Sequence, residues 1–162
     1  MEITNKAQKI LDLVVDKGAT GDLIIDESNS LSLSARDGEL DEYKISSSQV
    51  FGLRIIKDNK VGTAYSEASD QLALETMIDQ AFTNASFATA DEHETILPIK
   101  EELSTDDDFF CPNDPSTVEE KIDAILDLES SLLKKDKIKN VPYNGIQSGQ
   151  GSRHLFSTSG LV

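Results

Sequence analysis

The chain has 162 residues, the length of one ordinary domain with a substantial core. Thirty acidic residues against fifteen basic ones give a formal net charge of −15, and repulsion at that charge disfavours nucleic-acid phosphates and anionic membranes. The single cysteine, Cys111, excludes an internal disulfide and fits a reducing compartment. No secretory-signal pattern opens the chain and no apolar run reaches membrane-spanning length. We expect a cytoplasmic protein without a direct nucleic-acid or membrane partner.

The first 88 residues are predicted to form a core of two helices and a sheet. Apolar residues recur at helical spacing near the N-terminus, and Gly18 follows as a C-terminal cap. A first strand is predicted from Asp22 to Glu27, and a second amphipathic helix begins after Ser69 as N-cap. The apolar positions of the two helices are Ala7, Ile10, Leu11, Val14 and Val15, then Leu74, Met77, Ile78, Ala81, Phe82 and Ala85.

Between these helices, residues 30–66 are predicted to form an antiparallel meander of four short strands. Asp37-Gly38 and Asp58-Asn59 are typical of two-residue hairpin turns, because their central residues tolerate positive φ. A polar connection at Ser46–Gln49 is predicted to separate the two middle strands. In the last strand, Gly62 and Ala64 leave room for an element packed closely against one face. The four predicted strands are Leu31–Arg36, Leu40–Ile45, Val50–Ile56 and Val61–Tyr65.

The remaining chain is predicted to hold an acidic connection and then a helix and a hairpin. Residues 89–115 lose apolar periodicity and carry prolines and acidic runs, with a short strand near Ile96–Ile99. Ser116–Glu119 has the spacing of a capping box for a third helix, and a hairpin turning at Gly149–Gly151 follows within residues 116–162. The predicted fold is a single α+β domain, 1–162: an antiparallel meander with helices packed on one face, plus a C-terminal helix and hairpin.

Residues capable of catalysis or metal binding are few. His93-Glu94 begins like a His-Glu-x-x-His zinc helix, but Leu97 stands where the second histidine belongs. The other soft metal ligands, Cys111 and His154, lie in different predicted segments. Asp106–Asp108 lacks the spacing of a calcium loop, and no serine elbow or triad is present. We therefore expect no catalytic and no metal site in this chain.

Two arginines are the candidate contact residues. Arg36 and Arg54 each alternate with apolar residues in a predicted strand. Either each forms a salt bridge with a neighbouring carboxylate, or each contacts a substrate or a subunit interface.

A family resemblance rests on three features of the first ninety residues. These are the run Leu31–Leu40 containing Arg-Asp-Gly-Glu-Leu, the run Gly52–Ala64 with its Gly-Leu-Arg strand and tight turn, and the amphipathic helix that follows. Together they resemble the N-terminal region of the TldD/PmbA family, also called the modulator of DNA gyrase family, whose catalytic members are zinc metallopeptidases. From Ser116 onward the resemblance is looser. The first helix and the acidic connection favour the PmbA-like branch.

The resemblance implies a peptidase system whose chemistry lies outside this chain. The family's His-Glu-x-x-x-His helix and cysteine ligand lie C-terminal to the matched region, so zinc is implied only for a missing C-terminal peptidase domain or a partner subunit. The resemblance implies a homodimer or a TldD-type partner, a peptide or protein substrate, and a domain that shapes the substrate channel and subunit interface in proteolysis. The alternative is a free-standing acidic protein-interaction module without peptidase activity. In either case, an exposed edge of the meander could take an extended peptide by strand addition.

Overall fold

Three helices and four strands make up the described part of the molecule, a computed structural model covering residues 2–98 and 114–160. The sheet order is β3-β2-β1-β4, so the first three strands form an antiparallel meander and β4 lies beside β1. The α+β fold class is therefore confirmed. The elements are α1 (Glu2–Asp16), β1 (Thr20–Arg36), β2 (Glu39–Lys57), β3 (Lys60–Ser66), α2 (Gln71–Phe87), α3 (Val118–Leu133) and β4 (Gly145–Ser157).

Both predicted hairpin turns are confirmed by their backbone angles. Asp37 and Gly38 have φ of 55° and 80°, and Asp58 and Asn59 have φ of 51° and 59°. Positive φ at both central residues defines a type I′ turn, whose twist matches that of the flanking strands. The second turn sets the β2–β3 register, which runs from the pair Lys57 and Lys60 to the pair Phe51 and Ser66.

The predicted breaks within β1 and β2 are wrong. Strands 22–27 and 31–36 form one strand, as do strands 40–45 and 50–56. The polar residues between them stay extended and pair by their side chains with the neighbouring strand. Ser47 Oγ donates to Asn29 Oδ1 at 2.7 Å, and Gln49 Nε2 donates to Glu27 Oε1 at 2.7 Å. Cross-strand polar pairs of this kind stabilise the pairing of strand segments whose side chains are polar.

The predicted C-terminal hairpin is also wrong. Residues 138–144 are irregular, and β4 continues through Gly149 without a positive φ. An extended glycine in a long strand therefore stands where the turn was expected. The short strand predicted near residue 96 does not occur in residues 96–98, and residue 99 lies outside the described residues, as do Asp106–Asp108 and Cys111.

The helix ends follow the predicted chemistry with small shifts. Gly18 has φ of 75° just after α1, as expected of a C-terminal cap. The N-cap of α2 is Asp70 rather than Ser69, and the capping box of α3 joins Thr117 to Glu120, one residue later than predicted. Ser116 lies outside the cap, and its N–H donates to Asp114 Oδ1 at 2.9 Å. The Thr117 hydroxyl caps the helix by accepting from Glu120 N.

The described residues divide into two compact units, 2–27, 48–98 and 151–160 in the first, and 28–47 and 114–150 in the second. In the first unit, α1 and α2 pack on the apolar face of the strands, in the same cluster as Leu23, Phe51 and Ile55. In the second unit, α3 contributes Ile125 to a smaller core with Leu33 and Ala35. The first unit thus buries one face of its strands under α1 and α2, and the second unit does so under α3.

Candidate functional site

Arg54 is the centre of the polar cluster on the first unit. It lies on β2 opposite Thr63 of β3, and because strand side chains alternate it points away from the buried neighbour Leu53. Its Nε lies 3.1 Å and its Nη2 lies 2.5 Å from Asp22 Oδ2, and its Nη1 lies 3.8 Å from Glu94 Oε2. The hydrogen bond with Asp22 raises the pKa of Arg54 despite partial burial. The guanidinium is therefore held between two carboxylates, as the salt-bridge alternative describes.

An open cleft of about 760 Å³ surrounds this ion pair on the outer face of the strands. Its apolar lining comes from Ile24, Tyr65 and Leu155, and Tyr65 is 73% exposed. Gly52 adds a patch without a side chain, since a Cβ there would meet only Ile24 O at 4.0 Å. The cleft combines apolar contact area with a fixed ion pair, which suits binding of a polypeptide surface rather than acid–base or nucleophilic chemistry.

Arg36 belongs to the second unit and has a separate partner. Its Nη2 lies 3.6 Å from Asp41 Oδ2, and both side chains are largely exposed. An exposed pair at this distance contributes little to stability. The two candidate arginines therefore pair with different carboxylates, and their role as substrate or interface contacts stays a prediction.

The histidines do not converge on a metal site in the described residues. His93 is exposed, and its backbone N–H donates to Asp91 Oδ1 at 2.9 Å. The His154 ring stacks on Phe156 with the ring centroids 6.3 Å apart. Within residues 2–98 and 114–160, no group of three or more His, Cys, Asp or Glu side chains could hold a metal ion. A zinc ion therefore does not fit this part of the chain.

Glu129 is a buried polar residue that the sequence reading missed. Its side chain is on α3 and is only 3% exposed. Oε1 accepts a hydrogen bond from Asp37 N at 3.0 Å, and Oε2 accepts one from Gly38 N at 2.9 Å. One carboxylate thus fixes both amides of the β1–β2 turn. A signal was present, since Glu129 lies four residues after Ile125 in the apolar stripe of the helix.

Asn144 is a second buried polar residue of the same unit. Its Nδ2 donates to Ile125 O at 2.7 Å, and its backbone O accepts from Ala35 N at 3.0 Å. These bonds join the residue before β4 to both α3 and β1. Its Oδ1 is buried without a hydrogen-bond partner in the described structure.

None of the helices in the described ranges combines the length and the apolar character that crossing a lipid bilayer requires.

Comparison with known proteins gives a consistent picture for this fold. The family model described as PmbA/TldA metallopeptidase domain 1 matches residues 21–85. No curated protein matches the chain by sequence.

Several solved structures share the fold, among them the following three. A candidate modulator of DNA gyrase from Thermotoga maritima superimposes with a TM-score of 0.82 at 19% identity, covering 98% of this chain and 36% of that one. TldE from Thermococcus kodakarensis gives a TM-score of 0.66 at 19% identity, covering 96% and 35%. A candidate modulator of DNA gyrase from Bacteroides thetaiotaomicron gives 0.73 at 18% identity, covering 99% and 37%.

The chain has an α+β fold that it shares with these solved structures. Residues 21–85 of the chain are similar to the first domain of the PmbA/TldA metallopeptidase family. The chain spans little more than a third of the length of the solved structures that it resembles.

Proposed function

We propose that this chain is the N-terminal domain of a TldD/PmbA-type metallopeptidase system, which acts in peptide or protein maturation. In this proposal it helps to form the substrate channel and the subunit interface, and hydrolysis occurs at a zinc site in a further domain or a partner subunit. The single observation that carries the proposal is the family match over residues 21–85, which covers most of β1, all of β2 and β3, and most of α2.

Two features of the site support a binding role rather than a catalytic one. The cleft on the outer face offers apolar side chains around Arg54, and that arginine is already paired with Asp22. Neither feature provides a nucleophile or a general base beside a reacting group. The charge of −15 also disfavours direct contact with DNA phosphates, so the gyrase-related names of the similar structures suggest no DNA-binding role here.

The proposal is tested by comparing two preparations. The first is the native product that contains this sequence, purified from its own cells with any bound partner. The second is the 162-residue chain alone. The zinc content of each preparation is measured by inductively coupled plasma mass spectrometry. Hydrolysis of unfolded casein is measured with and without a chelator. We expect zinc and chelator-sensitive hydrolysis in the native preparation, and neither in the chain alone. Zinc-dependent hydrolysis by the chain alone, or a native preparation without either property, would contradict the proposal.

A further inference from the structure

The two end strands of the sheet are treated differently. The β3 edge is short and is guarded by α2, because Asn84 Nδ2 donates to Thr63 O at 2.8 Å and Lys60 Nζ donates to Ser86 O at 3.3 Å. Side chains that engage an edge strand in this way prevent pairing with another chain. The other end strand, β4, has 13 residues.

In the second unit, β4 is an end strand whose outer edge pairs with no other strand of the described residues. Asn144 O accepts from Ala35 N at 3.0 Å, so the backbone of Asn144 faces β1. Backbone groups alternate in direction along a strand, and the N–H and C=O of Gly145, Gln147 and Gly149 therefore face away from β1. Within the described residues, no side chain donates to or accepts from these outward groups. Three residues of β4 thus offer donors and acceptors that no side chain in residues 2–98 or 114–160 engages.

The composition of this edge lacks the usual protection against pairing. Residues 145–150 contain neither proline nor a charged side chain, and no carboxylate occurs anywhere in β4 although the chain has thirty acidic residues. Natural edge strands are normally blocked by such residues. Gly149 has no positive φ, and a Cβ there would meet nothing nearer than Asn29 O at 3.6 Å. The packing of this chain therefore does not require glycine at that position.

A polar cleft lies beside the same residues. It has a volume of about 490 Å³ and is lined by Gln147, Ser148 and Gly149 of β4 and by residues of β1 and β2. The β1 and β2 residues include Ser32 and Glu42, and Ser32 Oγ donates to Glu42 Oε1 at 2.8 Å. Hydroxyl and amide groups predominate, so the cleft suits a polar, uncharged side chain more than an apolar one.

We propose that the β4 edge between Gly145 and Gly149 binds an extended segment of another polypeptide by strand addition. Main-chain hydrogen bonds to Gly145, Gln147 and Gly149 hold the segment, and the cleft takes one of its polar side chains. A second copy of this chain is the less suitable occupant, because two molecules of charge −15 repel each other. The partner segment therefore carries a neutral or positive charge. This inference does not depend on the proposed peptidase function.

The test uses the whole 162-residue chain and a labelled peptide, Lys-Thr-Gln-Thr-Val-Thr-Gln-Thr-Lys, at near-physiological salt. Gln147→Pro removes an outward donor, whereas the matched variant Gln147→Ala keeps it. We expect amide chemical-shift changes at residues 145–149 on peptide addition, and an affinity at least about tenfold lower for Gln147→Pro than for Gln147→Ala. A peptide of the same sequence, N-methylated at alternate residues along one edge, should lose binding similarly, because it cannot complete the ladder.

Three results would overturn the proposal. The first is an absence of shifts at residues 145–149 with about 1 mM peptide, a concentration at which even weak strand addition is detectable. The second is equal binding by the proline and alanine variants or by the N-methylated peptide, which would indicate charge attraction without pairing. The third is a concentration-dependent dimer of the chain that protects the same amides, which would assign the edge to a second copy. An amide spectrum of each variant confirms that it is folded.

Discussion

Gly62 allows α2 to lie directly on β3, so adding one methyl group there should be costly. An ideal Cβ at this position would lie 2.0 Å from Ala81 O, 2.6 Å from Ala85 N and 2.8 Å from Ala85 Cβ. Two of these atoms are helix backbone, which cannot move aside as a side-chain tip can. Gly62→Ala therefore forces α2 away from β3. This movement disturbs the core cluster, which includes Ala81 and Ala85 of α2.

The expected magnitude follows from two opposing effects. Overpacking a well-filled core costs about 1–3 kcal/mol, and a backbone clash belongs at the upper end of that range. Replacing a strand glycine by alanine recovers only about 0.5–1 kcal/mol of chain entropy. We expect Gly62→Ala to lower the free energy of unfolding by about 2 kcal/mol or more, which corresponds to a fall of roughly 4–8 °C in Tm for a chain of this size.

Urea denaturation followed by circular dichroism measures this change. The matched control is Gly52→Ala in the paired strand, where a Cβ meets only Ile24 O at 4.0 Å. That variant should be as stable as the native chain or more stable by up to about 1 kcal/mol. Equal stability of Gly62→Ala and Gly52→Ala would refute the close packing of α2 on β3.

Three further predictions concern polar groups. Glu129→Ala should lower the free energy of unfolding by about 2–4 kcal/mol in urea denaturation, because two charge-assisted bonds to the turn are lost, while the exposed α3 variant Asp127→Ala should change it by less than about 0.5 kcal/mol. Arg54→Met and Asp22→Asn should each cost about 1 kcal/mol in a pair that is only partly buried, and the double variant should cost less than their sum. NMR titration should show the pKa of the Asp114 carboxyl below its usual range, because the Lys121 ammonium and the Ser116 amide favour its charged form. A lowered pKa means that its contribution to stability is present above the unfolded-state pKa and is lost as the pH falls through the folded-state pKa, a loss that Asp114→Asn should abolish.

The parts of the fold that sequence predicts well are those set by local sterics. Asp37-Gly38 and Asp58-Asn59 predict their turns because few other residue pairs tolerate two successive positive φ angles. The helical stripes predict α1, α2 and α3 because a buried face must recur every three to four residues. Gly62 predicts that another element packs closely on β3. A glycine weakens a strand, so it is expected where such packing leaves no room for a side chain.

The parts that sequence predicts poorly depend on partners distant in the chain. Ser46–Gln49 has the composition of a loop, yet pairing with β1 keeps it extended. Gly149 suggests a turn, yet an edge strand can hold a glycine without bending. Glu129 was missed because its role depends on a turn 91–92 residues away in sequence. For the candidate site, Arg54 was found by strand alternation, but its partner Glu94 lies in a segment without periodicity.

The central proposal is that this chain serves as one domain of a larger TldD/PmbA-type peptidase system. The most direct test is the intact mass of the native polypeptide that contains this sequence, isolated from its own cells. We predict a product several hundred residues long, with a His-Glu-x-x-x-His helix beyond residue 162. A native product that ends at residue 162 and purifies without a zinc-bearing partner subunit would contradict the claim and favour a free-standing interaction module.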